Sequence, residues 1–145
     1  MSNDYSNGYY KVTPSKSKDR PFQWNLFSPS HKEPILTATA QHATLGQVLR
    51  EIDMAKANCQ DDANYERKVD SRDRPYFIFK IGNDPIAKSE PYEGGKGAME
   101  NGIKSCKKNG PSELVVDKDL KEISTNEENV TTEEPDTSQT NNTYA

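Results

Sequence analysis

Apolar and polar residues alternate through Phe22–Phe27, with Phe22, Trp24 and Leu26 on one side and Gln23 and Asn25 on the other. Period two is the signature of a half-buried strand. Residues 9–12 (YYKV) predict a short strand before it, reached through a Lys/Ser-rich connection ending in Asp19-Arg20-Pro21. A turn over residues 28–31 leads to residues 34–39 (PILTAT), whose β-branched content again predicts a strand. The period then changes. Leu45, Val48, Leu49, Ile52 and Ala55 recur at helical spacing and predict a helix that buries one stripe. Thr44 and Gln47 have the spacing of a capping box, and Ala43 is placed to staple onto Val48. The polar run at residues 58–64 ends that helix.

The same order then recurs. Residues 65–69 predict a strand, Arg72-Asp73-Arg74-Pro75 a turn, and residues 76–81 (YFIFKI) a central strand. Gly82-Asn83-Asp84 predicts a tight hairpin and residues 85–89 its returning strand. Met99, Ile103 and Cys106 mark a helix over residues 96–109, stopped by Gly110-Pro111.

The two halves therefore read as an internal repeat. Asp19-Arg20-Pro21 and Asp73-Arg74-Pro75 stand 54 apart. The strand-opening Pro34-Ile35 and Pro85-Ile86 stand 51 apart, as do Ile52 and Ile103, Lys56 and Lys107, and Asn58 and Asn109. Each half reads strand, strand, strand, helix, with a slip of three residues inside one loop reconciling the two spacings. A unit of roughly 50 residues buries little core by itself, so two are expected to pack together. The predicted fold is α+β: two tandem βββα repeats in one pseudo-symmetric body, with an antiparallel sheet and one helix per repeat. The predicted organisation is a disordered N-terminus (1–8), a first repeat (9–60), a second repeat (65–116) and a disordered acidic tail (117–145).

Composition agrees with a partly unfolded chain: 31% of the residues are apolar, 29% are charged, and the mean hydropathy is −1.04. Residues 111–145 hold nine acidic side chains against Lys118 and Lys121, a net −7. The whole chain carries −4, which leaves +3 on residues 1–110. That imbalance is a weak argument for polyanion binding. No stretch approaches the roughly 18 apolar residues of a membrane span, and the first residues do not resemble a signal peptide. A cytoplasmic protein with no membrane partner is expected. Asn129-Val130-Thr131 and Asn141-Asn142-Thr143 then read as chance matches to the glycosylation pattern, and Cys59 and Cys106 as free thiols.

The second repeat resembles the YegP-like family of small proteins built from one or two copies of a domain of unknown function. The resemblance rests on Tyr76-Phe77-Ile78-Phe79-Lys80, Asn83, Ile86-Ala87-Lys88-Ser89-Glu90-Pro91-Tyr92, and the run from Ala98 through Glu100-Asn101-Gly102-Ile103 to Lys107-Lys108-Asn109. It covers about a third of the chain. It implies an α+β fold of βββα units, often tandem or dimeric, and assigns no reaction. The first repeat departs from the pattern, with Leu49-Arg50-Glu51-Ile52 in place of Glu-Asn-Gly-Ile. The usual Ser cap of the second helix is replaced by Gly94-Gly95.

Gly102 inside a helix costs about 1 kcal/mol relative to Ala, so it needs a reason. Close packing of the helix on the sheet supplies one without a ligand, and is the expected reading. A basic helix face formed by Lys96, Lys104, Lys107 and Lys108, with Tyr76 and Tyr92, is a candidate single-stranded nucleic-acid surface. A solvated helix face beside ordinary core aromatics is the favoured alternative. Cys59, Cys106, His31 and His42 lack paired ligand spacing, so no metal is expected. Cys106 lies on the apolar stripe, while Cys59 is expected to be the more exposed thiol. Gly94-Gly95-Lys96-Gly97 lacks phosphate-loop spacing, and no Ser has a His/Asp partner set. The expected function is therefore a non-catalytic interaction module without a cofactor, binding a protein partner or its own copy along a strand edge. Weak nucleic-acid binding by the second helix is the alternative. The candidate surface is Glu100, Asn101, Lys104, Lys107, Lys108, Tyr76 and Tyr92.

Overall fold

Alternation decides which side of each strand is buried, and cross-strand register carries that choice across the whole sheet. In the computed structural model, which describes residues 8–29 and 32–123, seven strands form one sheet. They are β1 (Tyr9–Pro14), β2 (Phe22–Phe27), β3 (Leu36–Ala38), β4 (Tyr65–Val69), β5 (Pro75–Ile81), β6 (Asp84–Lys88) and β7 (Val115–Val116). Their order is β4-β5-β6-β3-β2-β1-β7. Each repeat is a three-stranded antiparallel meander, and the two meanders join where β3 pairs antiparallel with β6. That central pair is the pseudo-two-fold axis, so the expected α+β fold of two packed βββα units holds. The seventh strand, which the sequence reading did not anticipate, runs parallel to β1 at the sheet's margin.

The helices α1 (Leu45–Asn58) and α2 (Lys96–Asn109) pack on one face. Their stripes, Val48, Leu49, Ile52 and Ala55 on α1 and Met99, Ile103 and Cys106 on α2, join Trp24, Leu26, Phe77 and Phe79 in one core. The capping box of α1 is present: Thr44 Oγ1 accepts from Gln47 N at 3.1 Å, and Gln47 Oε1 accepts from Thr44 N at 3.3 Å. Ala43 is exposed, so the expected staple onto Val48 is not part of the core. In α2 the N-cap is Gly95, with φ of 86°, and no side chain caps the helix. The two-residue hairpin between Ile81 and Asp84 turns at Gly82, whose φ of 63° suits glycine.

Two tyrosines brace the repeats against each other. Tyr65, which opens β4 in the second repeat, donates its hydroxyl to the carbonyl of Cys59 at the end of α1, at 2.5 Å. Tyr10 of β1 does the same for Gly110 at the end of α2, at 2.8 Å. Each helix thus has a C-terminal carbonyl satisfied by the other repeat. Register makes Tyr10 opposite Leu26 equivalent to Tyr65 opposite Phe79, which places Trp24 on Phe77, 53 residues apart. The slip between repeats is therefore divided, one residue before the central strand and two in the hairpin that follows it.

Three expectations change. Residues 117–123, assigned to the disordered tail, form a turn: Asp117 Oδ1 accepts from the amides of Asp119 and Lys121, and Ile123 N donates to Val115 O at 2.7 Å. The expectations of disorder for residues 1–7 and 124–145 lie outside the described residues. Cys59 is 1% exposed, as buried as Cys106, because the end of α2 closes over it. The strand edge expected to bind a partner is not offered by the first repeat: β3 and β6 occupy each other's edges, and β7 occupies that of β1. Among the described residues no helix is long and apolar enough to cross a membrane.

Candidate functional site

Glu100 and Lys107, expected on a binding surface, are drawn into a network that ties α2 to β4. Arg67 donates from Nε to Glu100 Oε2 at 2.9 Å and from Nη2 to both Glu100 Oε1 and Asp62 Oδ1, each at 3.0 Å. Lys107 Nζ also donates to Asp62 Oδ1, at 2.7 Å, and lies 6.0 Å from the centroid of the Tyr65 ring. Hydrogen bonds from Arg67 and Lys107 hold the Asp62 carboxyl at about 2, and Arg67 lowers that of Glu100. A depressed folded-state pKa adds stability that is present above the unfolded value of about 4 and is lost as pH falls toward 2. Asp62→Asn is therefore expected to flatten the stability profile between pH 4 and pH 2, as read by urea unfolding at each pH. An unchanged slope would show that Asp62 is not tied to this network in solution.

Lys104, Lys108, Lys96 and Asn101 remain exposed on α2. Tyr76 does not join them. It alternates with Phe77, which stacks on Tyr92 at 6.2 Å on the helix-covered face, so Tyr76 lies on the opposite face of the sheet. The expected surface of α2 lysines with Tyr76 and Tyr92 is thereby corrected: the sheet separates its two tyrosines.

Gly102 was expected to let the helix lie close on the sheet, and its close neighbour is instead the side chain of Tyr92, which follows β6. A β-carbon there would run into the Tyr92 phenol, with Cζ at 2.6 Å, so the ring lies in the space glycine leaves. Burial pushes the Tyr92 phenol up to about 12, which keeps it protonated. Beside it runs a groove of about 400 Å³ lined by Tyr92, ahead of α2, and by Ala98, Asn101, Gly102 and Ser105 of α2. A second groove, of about 490 Å³, is lined by Gln41, Gln47, Arg50, Glu51 and Met54. These are the same positions 51 residues earlier. In the first repeat Glu51 fills the position that the Tyr92 ring fills over Gly102. Its carboxylate accepts from Trp24 Nε1 at 2.8 Å and stands 3.1 Å from His42 Nε2. The departure of the first repeat from the Glu-Asn-Gly-Ile pattern is thus a second solution to filling one position.

Two further motif residues, Ser89 and Asn109, make structural hydrogen bonds. Ser89 Oγ accepts from Phe77 N at 3.0 Å, and Asn109 Nδ2 donates to Ser105 O at 2.9 Å, as Asn58 does to Met54 O at 2.8 Å. Burial raises both thiols, which keeps them protonated. Among the described residues no three His, Cys, Asp or Glu side chains gather as metal ligands.

The helix-free face gathers side chains that sequence reading left scattered. One cross-strand row runs Lys11, Asn25, Thr37, Lys88, Ile78, Glu66 over β1-β2-β3-β6-β5-β4. Beside it Tyr9 stacks on Phe27 at 5.2 Å, with Lys11 Nζ 5.7 Å from the Phe27 ring, and Tyr76 pairs with Lys68. The available signal was strand parity, since each of these residues except Lys68 stands next to a buried residue on its strand.

Residues 70–117 match the family described as a domain of unknown function, DUF1508. A UPF0339 protein of Acinetobacter baylyi is 31% identical over 110 residues, 76% of this chain and 96% of that protein. UPF0339 protein YegP of Escherichia coli K12 has the same identity and coverage. Among solved structures, that of the Escherichia coli protein of unknown function yegP aligns with a TM-score of 0.68 at 28% identity, covering 80% of this chain and 97% of that one. A UPF0339 protein of Shewanella oneidensis aligns with a TM-score of 0.66 at 28% identity, covering 77% and 91%. A two-repeat sheet with both helices on one face, and relatives matched over nearly their whole length, lead to one assignment: the chain belongs to the UPF0339/YegP family.

Proposed function

We propose that the protein is a non-catalytic interaction module that takes an extended segment of a protein partner along the outer edge of β4. The observation that carries this reading is the asymmetry of the sheet margins: β7 lies along β1, while β4 ends the strand order at the other side. An uncovered edge presents backbone donors and acceptors to a further strand. Val69 on that edge is 60% exposed, although apolar. Beside it Lys68, Asp73, Pro75, Lys96 and Met99 line a groove of about 380 Å³ with Arg67, whose charge is met by Asp62 and Glu100, so Lys68 and Lys96 supply its basic character. A segment with one or two apolar residues flanked by acidic ones fits that lining. The structural employment of Ser89, Glu100, Gly102 and Asn109 supports the non-catalytic half of the reading.

The test is capture of partners from native lysate by the tagged full chain, with and without nuclease, beside Val69→Pro. Asp70 N donates to Arg74 O, so the adjacent Val69–Pro75 pair is a non-hydrogen-bonded one and Val69 turns its backbone groups outward; the variant therefore blocks the outer edge and spares the sheet. A stoichiometric protein that survives nuclease and is lost with Val69→Pro is the expected result. Partners that are retained by Val69→Pro or released by nuclease would overturn the edge reading, as would recovery of none.

A further inference from the structure

We propose that the helix-free face of the sheet is a second binding surface, which takes single-stranded nucleic acid with little sequence preference. Both helices lie on the other face; on this one Phe27 and Ile86 are buried, while Lys11, Asn25, Thr37, Ile78 and Tyr76 are half-buried and Lys68 and Lys88 exposed. Its strands present Lys11, Lys68, Lys80 and Lys88 against Glu66. Glu66 is engaged by Lys80 at 3.3 Å and Lys68 at 3.8 Å, which leaves the charges of Lys11 and Lys88 without a carboxylate among the described residues. Lys88 stands at the pseudo-two-fold axis, opposite Thr37, and Lys11 lies further along the same row, on β1. Positive charge is therefore spread along a track that crosses the strands, as a phosphate backbone requires.

Stacking supplies the second half of the recognition. Tyr76 is half-buried and enters none of the ring pairs of the described core, and Ile78 lies next to it on the same side of the neighbouring row. A ring held by the sheet with one face open is the platform on which bases stack whatever their identity. Gln23, Asn25, Thr13 and Thr37 fill the area between with neutral donors and acceptors. The row over six strands spans about 24 Å at the usual strand spacing, room for several nucleotides. A broad sheet face enters neither groove of a duplex as a helix or a two-stranded ribbon does, so the single strand is the favoured form. The α2 lysines lack this combination: Lys107 is committed to Asp62, and among the described residues neither Lys104 nor Lys108 stands over an aromatic ring.

The experiment uses the full chain and a fluorescent twelve-nucleotide oligo-dT, with anisotropy followed from 50 to 200 mM NaCl. If about three phosphates are neutralised, competition from salt predicts a weakening of about 20-fold over that range. Lys11→Glu/Lys88→Glu is expected to weaken binding at least tenfold at 50 mM, and Tyr76→Ala about tenfold. Lys104→Glu/Lys108→Glu, which makes the same charge change on α2, is expected to change it less than twofold. Circular dichroism confirms that each variant is folded. Absence of binding at 50 mM overturns the proposal. So does an equal loss in the α2 variant, an unchanged affinity in Tyr76→Ala, or a duplex of the same length binding as tightly as the single strand.

Discussion

Gly110→Ala is expected to destabilise the protein by about 3 kcal/mol, the upper end of what overpacking a core costs. Gly110 closes α2 with an ordinary right-handed φ of −60°, so backbone freedom does not explain the glycine. Space does. A β-carbon would sit 2.7 Å from the Cys106 carbonyl oxygen and 2.9 Å from Cys59 Cβ, and closer still to Cys59 Sγ. None of these atoms is the loose end of a side chain: one is backbone, and the others belong to a cysteine at the end of α1 that is 1% exposed. Making room means separating the ends of the two helices. The Gly110 carbonyl that accepts the Tyr10 hydroxyl would move with them. Thermal unfolding measures the effect directly, with a fall in Tm of about 10 °C expected for a body of this size. A fall of under 2 °C would mean that the helix ends do not meet as described.

Gly102→Ala is expected to cost about 2 kcal/mol in the wild-type background and to reverse sign when Tyr92 is removed. Alanine is better than glycine in a helix by about 1 kcal/mol. Here that gain is outweighed, because the new methyl would displace the Tyr92 ring from its place over Gly102 and from its stack on Phe77. In a Tyr92→Ala background nothing opposes the methyl, and only the helix preference remains. The same substitution is then expected to stabilise by about 1 kcal/mol. The double-mutant cycle, read by urea unfolding, isolates this coupling. Equal destabilisation in both backgrounds would show that glycine is required at residue 102 for some reason other than the tyrosine.

Both glycines were visible in the sequence, but their neighbours were not. Gly102 could be assigned to close packing because a helix interior disfavours glycine, while its contact with Tyr92 rather than with the sheet itself needed the fold. Gly110 read as a C-terminal cap, and that pattern concealed its closer constraint, the approach of Cys59. Cys59 itself was misplaced for the same reason. Judged along α1 it stands at a polar end, and it is buried only because the end of the other helix covers it.

The candidate site divides on similar lines. Strand parity separates Tyr76 from Phe77 in the sequence, yet which face the helices choose is settled by the core they share with Trp24 and Phe79. Lys107 appeared as one lysine among several on a helix face. Only the approach of the turn before β4 gives it Asp62 as a partner and removes it from a binding surface.

What the sequence determined by itself was the local periodicity: the alternation of the strands, the i, i+3, i+4 stripes, the capping box at Thr44, and the repeat that joins them into two βββα units. These are encoded between residues a few positions apart, where spacing alone settles geometry. The tertiary structure decided how the edges were spent and which side chains met. β3 pairs with β6 across 50 residues, β7 returns to β1 from more than 100 residues away, and each helix end is closed by a tyrosine of the other repeat. Such pairings depend on which surfaces remain to be buried once the units have formed, and no spacing along the chain records that.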